Sequence, residues 1–143
     1  MKKLHSKFVS LADKLRDLPL LALRIVLAIG FFEPGLKKLG SIEGTAVWYE
    51  SMGIPAPTLN AYLSGGIETV GAVLILLGLG TRVMSIPMIF TMIVAWLTVH
   101  LGKGYNVSDG GYELVLYYII MLVVLLTFGA GRISIDQLLK KKS

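Results

Sequence analysis

Residues 59–79 read LNAYLSGGIETVGAVLILLGL, an apolar run long enough to cross a bilayer as a helix, with one carboxylate near its middle. An ionised side chain at that depth is costly unless it faces a protein interior or a wet cavity. Helical spacing places this carboxylate, Glu68, on one face with small residues, which are Ser64, Gly71 and Gly78. Small residues let neighbouring helices approach closely. Glu68 is therefore predicted to point into a helix bundle and to mark a functional site.

The rest of the chain contains three more runs of similar character. The 143 residues are 55% hydrophobic and 16% charged, with a mean hydropathy of +0.73, which is too apolar for a soluble domain of this length. Four membrane-spanning helices are predicted, at residues 19–36, 59–79, 83–101 and 112–128. We therefore predict an all-α integral membrane four-helix bundle over residues 19–132, followed by a basic cytoplasmic tail at residues 133–143.

Residues 1–18 are predicted to form a separate short helix that lies in the membrane interface. Apolar side chains follow one helical stripe, and charged side chains lie elsewhere on the helix. The stripe consists of Leu4, Phe8, Leu11, Leu15 and Leu18. We expect this amphipathic N-terminal helix to act as an anchor rather than as a site.

Basic residues are divided unequally between the two sides of a four-span arrangement. Only Lys37, Lys38 and Lys103 lie on the side away from the termini, and all the others except Arg24 lie on the terminal side. The positive-inside rule then puts both termini in the cytoplasm. Topology explains the net charge of +5, so we predict no nucleic-acid partner. The expected partners are membrane lipid and either another membrane or redox protein or further copies of the chain.

The sequence has no cysteine and two histidines, His5 and His100. The absence of cysteine excludes disulfides, iron–sulfur clusters and cysteine-based zinc sites. The histidines are predicted on opposite sides of the membrane, so they cannot hold a haem between them. We predict no metal site and no tightly bound cofactor, and a redox role would need a diffusible quinone or a cofactor held by a partner.

Titratable side chains form a gradient from the outer face of the predicted bundle towards its centre. Glu68 lies deepest, and five others lie at the outer ends of the spans, namely Glu33, Lys37, Lys38, His100 and Glu113. Glu68, His100 and Glu113 are predicted to handle protons beside a redox or transport event, and the others to line the same pocket as binding residues. The alternative is a structural hydrogen-bond network that holds four short helices together.

Pro34 determines how these groups are expected to meet. Proline removes a backbone donor and bends or ends a helix, so we expect the first span to break at Glu33-Pro34. Lys37 and Lys38 would then fold back towards His100 and Glu113.

Three further residues are candidate binding residues. Arg24 lies about five residues into the first span, where it could extend to the headgroups or pair with an internal acid. Trp96 and Tyr112 belong to a set of aromatic residues that could flank a flat quinone ring. Alternatively, these rings are ordinary residues of the membrane interface.

Short motifs in a fixed order resemble the DoxX family of small bacterial four-helix membrane proteins. They are Arg24, GLKKL at 35–39, GIPAP at 53–57, ETVG at 68–71, LGLGTR at 77–82, TVH at 98–100 and GGYE at 110–113. Three other segments, EP at 33–34, PTLNAY at 57–62 and TRVMSIP at 81–87, are more similar to the HvfX-type branch, whose genes lie beside those for copper-binding modified peptides. The segment GKGY at 102–105 departs from that branch, whose typical sequence at this place is GNGF.

The resemblance implies a bacterial inner-membrane location and two functional hypotheses. The first is an accessory or membrane subunit of a quinone-linked oxidoreductase or stress-response system, because the family is associated with such enzymes, including thiosulfate:quinone oxidoreductase. The second is a non-enzymatic membrane partner in the maturation or export of a copper-binding modified peptide.

Overall fold

The computed structural model describes residues 2–141, and every regular element in that part of the chain is helical. The helices are α1 (Lys2–Leu15), α2 (Asp17–Gly40), α3 (Ile42–Ser51), α4 (Pro57–Leu77), α5 (Thr81–Ala95), α6 (Glu113–Phe128) and α7 (Ile135–Lys140). The predicted all-α membrane fold is confirmed, since three helices are long and apolar enough to cross a bilayer: Asp17–Gly40, Pro57–Leu77 and Thr81–Lys103.

Helix α6 occupies the position of the fourth predicted span and is shorter. Its 16 residues are strongly apolar. At 1.5 Å per residue they extend about 24 Å, somewhat less than the ~30 Å of bilayer hydrocarbon. The connection from α5 to α6 contains a π-helical segment, Trp96–His100, and two short 3₁₀ helices, Leu101–Lys103 and Val107–Asp109.

The helices pack in antiparallel order, with α2 mainly against α4 and α6 mainly against α5. Glycine permits the closest approach. A Cβ atom at Gly35 of α2 would lie 2.7 Å from the backbone nitrogen of Thr69, and one at Gly71 of α4 would lie 2.6 Å from Met88 Sδ. The core between the helices consists of fully buried apolar side chains, among them Leu27, Phe31, Ile75, Met88, Leu122 and Leu125.

Helix α2 passes through Pro34 and ends at Gly40, so the prediction that Glu33-Pro34 breaks the first span is wrong. Proline leaves the carbonyl of the residue four positions earlier without its helical donor. That residue is Gly30, where a Cβ atom would lie 2.2 Å from the hydroxyl oxygen of Tyr118. The polar end of Tyr118 on α6 is thus packed against the site where the proline interrupts the hydrogen bonding.

Helix α1 ends at Leu15, and the chain turns at Arg16 before α2 begins. The apolar side chains of Phe8 and Leu15 are exposed, and Leu18 is exposed at the start of α2. The side chains of Leu4 and Leu11 lie outside the described part of the structure. The interfacial position of this helix stays a prediction.

Candidate functional site

An ion pair between Lys38 and Glu68 joins the end of α2 to the middle of α4. Lys38 lies three residues after Gly35, hence on the same helical face as the glycine that packs against Thr69 and the Cβ atom of Glu68. The close approach of the two backbones brings the ammonium group to the carboxylate. The Glu68 side chain is 3% exposed and that of Lys38 is 21% exposed.

The second carboxylate oxygen of Glu68 has no hydrogen-bond partner among the described residues. Lys38 donates to Oε1, whereas Oε2 is buried and accepts no hydrogen bond from any described residue. Leaving a buried polar atom unsatisfied costs about 1–3 kcal/mol, so native structures rarely keep one without a reason. This oxygen keeps an unused capacity to accept a proton or a hydrogen bond.

Both side chains line a cavity of about 160 Å³, called here the Glu68 cavity. Its walls come from the end of α2, from α3 and the following turn, and from α4 and α5. The polar lining residues are Lys38, Tyr49, Asn60, Ser64, Glu68, Thr91 and Thr98, and the apolar ones include Trp48, Ile54, Leu63, Ile67, Phe90 and Val94. A protein cavity of about 150 Å³ can hold a benzene ring. The Glu68 cavity is therefore large enough for one six-membered ring.

Helix α3 closes the cavity at the end of the bundle away from the termini. Tyr49 is buried, and its hydroxyl group lies 2.8 Å from Ser64 Oγ, one helical turn before Glu68. The hydroxyl groups of Thr91 and Thr98 donate to carbonyls of their own helix, at 2.8 Å in each case. Lys38, Glu68, Tyr49 and Ser64 are thus the polar groups best placed to contact a ligand.

His100 and Glu113 do not line this cavity. His100 Nδ1 lies 2.6 Å from the Gly110 carbonyl oxygen. Glu113 accepts hydrogen bonds from the backbone N–H of Val107 at 3.1 Å and from the Tyr117 hydroxyl at 3.0 Å. Both residues therefore hold the connection between α5 and α6, and their predicted role with protons stays untested.

The prediction that Lys37 and Lys38 fold back towards His100 and Glu113 is wrong. Lys38 pairs with Glu68, and Lys37 pairs with Glu33 at 2.7 Å on an exposed face of α2. An unbroken α2 explains the difference. Neighbouring residues of a continuous helix diverge by about 100°, so only one of the two lysines can face α4.

Trp96 and Tyr112 stack on each other, with ring centroids 5.1 Å apart, beside the Glu68 cavity rather than in its wall. Trp96 begins a π-helical segment, Trp96–His100, in which the wider turn changes the direction of successive side chains. Such segments are rare and are frequent at functional sites. Trp96 Nε1 is buried without a described partner. Nothing in the sequence predicted the π-helical turn.

Arg24 is buried. Its guanidinium group neither extends to the headgroups nor forms an ion pair with a described acidic residue, which were the two expectations. Its guanidinium group donates to carbonyls at the end of α4, to Ile75 at 2.8 Å and to Leu76. It also donates to Ala130 at 3.0 Å and Ile133 at 2.6 Å in the C-terminal segment, residues 129–141. The last carbonyls of a helix lack internal partners, and a cation satisfies them well. Arg24 is therefore a structural clamp at the terminal end of the bundle.

Sequence reasoning missed the contribution of α3 to the site. Trp48 and Tyr49 of this helix both line the Glu68 cavity. Ser64 was placed on the face of Glu68 by helical spacing, which was the available signal. Within residues 2–141, no group of three or more His, Asp or Glu side chains could hold a metal ion.

Comparisons with known proteins agree with the membrane fold. The profile of the DoxX family matches residues 19–101. An "Uncharacterized protein" of Haemophilus influenzae is 36% identical over 85% of this chain and 83% of its own length. The "Inner membrane protein YqjF" of Escherichia coli is 32% identical over 90% of this chain and 98% of its own. The "Putative oxidoreductase CatD" of Bacillus subtilis is 37% identical over 62% and 65%. No solved structure matches the chain significantly.

Proposed function

The chain belongs to the DoxX family of membrane proteins, and on that basis we propose that it is a membrane subunit of a quinone-linked oxidoreductase system. One observation carries the proposal. The Lys38–Glu68 ion pair, with one carboxylate oxygen unpaired, lies in the wall of a cavity that fits a single six-membered ring. The name of the Bacillus subtilis relative supports a redox role.

The lining residues fit the headgroup of a quinone. Such a ring is flat and apolar on its faces and carries carbonyl oxygens at opposite edges. Phe90, Leu63 and Ile67 supply apolar walls, while the ammonium group of Lys38 has donors beyond the one given to Glu68. The Tyr49 hydroxyl can donate from the α3 side. A mostly apolar pocket with a few placed polar groups is the usual form of a small-molecule site.

Bound quinone supplies reversible transfer of electrons and protons. Lys38 positions the ring by donating a hydrogen bond to a carbonyl oxygen. Glu68 accepts or gives the proton, because its carboxylate lines the cavity and only Oε1 is engaged by a described residue. The hydroxyl pair of Tyr49 and Ser64, one turn before Glu68 on α4, lies between Glu68 and the α3 end. A partner redox protein exchanges the electrons.

The same proposal places the chain in a bacterial inner membrane. The names of two Escherichia coli relatives describe inner-membrane proteins. We propose that both termini lie in the cytoplasm, because the basic residues concentrate at the terminal end. The Glu68 cavity then lies in the outer half of the membrane, under α3.

Trp48 in the cavity wall provides a direct test. In a Trp96→Phe background Trp48 is the only tryptophan, and a short-chain benzoquinone, whose headgroup is a single ring, should quench its fluorescence saturably. Lys38→Met removes a charge-assisted hydrogen bond of about 1.5–3 kcal/mol, so affinity should fall about 10- to 150-fold. Lys37→Met is the matched control and should bind like the parent, since Lys37 points away from the cavity.

Glu68→Gln separates binding from proton transfer. The amide keeps the shape of the carboxylate but cannot exchange a proton, so quinone should still bind. The variant should, however, fail to restore function in a strain from which the gene has been deleted. Circular dichroism should show unchanged helix content for each variant. Absence of saturable quenching, or equal affinities of the two lysine variants, would refute the proposal.

A further inference from the structure

A second cavity lies at the terminal end of the bundle, and it differs from the Glu68 cavity in size and charge. It has a volume of about 490 Å³ and is formed by the starts of α2 and α5, the end of α6 and the C-terminal segment. This terminal cavity is lined by four cations and two carboxylates: Arg16, Arg82, Arg132, Lys140, Asp17 and Asp136. We propose that it binds the phosphate headgroup of an anionic phospholipid.

The two carboxylates are already used by the backbone. Asp136 accepts from the N–H of Gly80 at 2.8 Å and of Thr81 at 3.3 Å, at the start of α5. Asp17 accepts from the N–H of Arg132 at 2.9 Å. These contacts hold the C-terminal segment in place. Four cations against two carboxylates leave an excess of two positive charges around the cavity.

The cations are correspondingly under-neutralised. Arg132 Nε lies 3.7 Å from Asp17, and this is the only ion pair that any of the four makes with a described residue. The guanidinium group of Arg82 packs against Gly129, where a Cβ atom would be 3.2 Å from Arg82 Nε. Gly129 has φ +78°, so glycine both permits the turn and leaves room for the guanidinium group. The planar guanidinium group binds phosphate oxygens in pairs.

Apolar side chains distinguish a lipid from free phosphate. Val83 and Phe128 line the same cavity and are 73% and 67% exposed, at the ends of two membrane helices. Free phosphate gains nothing from such a wall, whereas the acyl chains of a lipid would pack along it. Basic pockets between transmembrane helices on the cytoplasmic side are known to bind anionic headgroups. The positive-inside topology places this cavity on that side.

The test uses the full chain purified in neutral detergent and titrated with dioctanoyl phosphatidylglycerol. Arg82→Gln and Arg132→Gln should each weaken binding about fivefold, the effect of one surface cation. Lys103→Gln, which removes a lysine from the opposite end, should leave binding unchanged. Dioctanoyl phosphatidylcholine, which has a phosphate but no net charge, should bind at least tenfold more weakly.

Three outcomes would overturn the proposal. The first is equal binding of the two lipids, and the second is equal effects of the cavity and control substitutions. The third is inorganic phosphate binding as tightly as the anionic lipid and competing with it, because the ligand would then be free phosphate. If Arg82→Gln loses helix content, Arg82→Lys replaces it; this variant keeps the charge without the fork and should show a smaller loss of affinity.

Discussion

Removing Lys38 should expose the energetic cost of burying Glu68. In Lys38→Met the carboxylate keeps its place, with a side chain 3% exposed, but loses its ion-pair partner. Its other oxygen, Oε2, already has no partner in the described part of the chain. Breaking a buried pair from one side typically costs about 3–5 kcal/mol, because an uncompensated charge remains. Protonation of Glu68 would relieve part of that cost, so we expect a loss near the lower end of the range.

The double variant Lys38→Met/Glu68→Leu should recover most of this loss. Replacing a whole buried ion pair with apolar side chains of similar size is often neutral or stabilising. The interaction energy from the four-member cycle should therefore be large, at about 3 kcal/mol. Lys37→Met provides the control, because the Lys37–Glu33 pair is 74% and 72% exposed and should contribute too little to resolve.

The assay is reversible unfolding in mixed micelles, followed by helix content as the denaturing detergent increases. The four proteins of the cycle and the control are measured under identical lipid and salt conditions. The expected coupling is refuted if Lys38→Met unfolds like Lys37→Met. It is equally refuted if the two single losses simply add in the double variant, since additivity means that Lys38 and Glu68 do not interact.

Three further predictions concern the fold. Gly35→Ala should destabilise the bundle by about 1–3 kcal/mol, because its Cβ atom would meet the α4 backbone. Gly66→Ala, whose Cβ atom would have nothing within 4 Å, should be neutral or stabilising. The unfolding midpoints of the two variants compare them directly. Arg24→Gln should release the C-terminal segment, seen as faster proteolysis there than in the parent, and equal rates would contradict its role as a clamp. Cysteines at Ser51 and Ser108 should react with an impermeant reagent in intact cells, with no native thiol to compete; reaction only after lysis would reverse the topology.

The membrane helices could be predicted from the sequence because they depend on local properties. Hydrophobic length, the small-residue face around Glu68 and the distribution of lysine and arginine are all readable along the chain. None of these three properties depends on which helices are neighbours in the folded protein.

The partners of the charged residues were decided by the tertiary structure. Glu68 was correctly expected to face the interior, but its pairing with Lys38 required that α2 stay helical through Pro34 and approach α4 at Gly35. A single proline leaves two outcomes, a break or a continued helix, and the packing of Tyr118 against Gly30 accompanies the second.

The contacts of Arg24 were even less predictable from the sequence. Its acceptors are carbonyls separated from it by 51 to 109 residues along the chain. Backbone carbonyls are present at every residue, so no pattern of side chains identifies the ones left without donors at a helix end. Only the folded arrangement brings the end of α4 and the C-terminal segment around one guanidinium group, because that contact depends on how the ends of three separate segments meet.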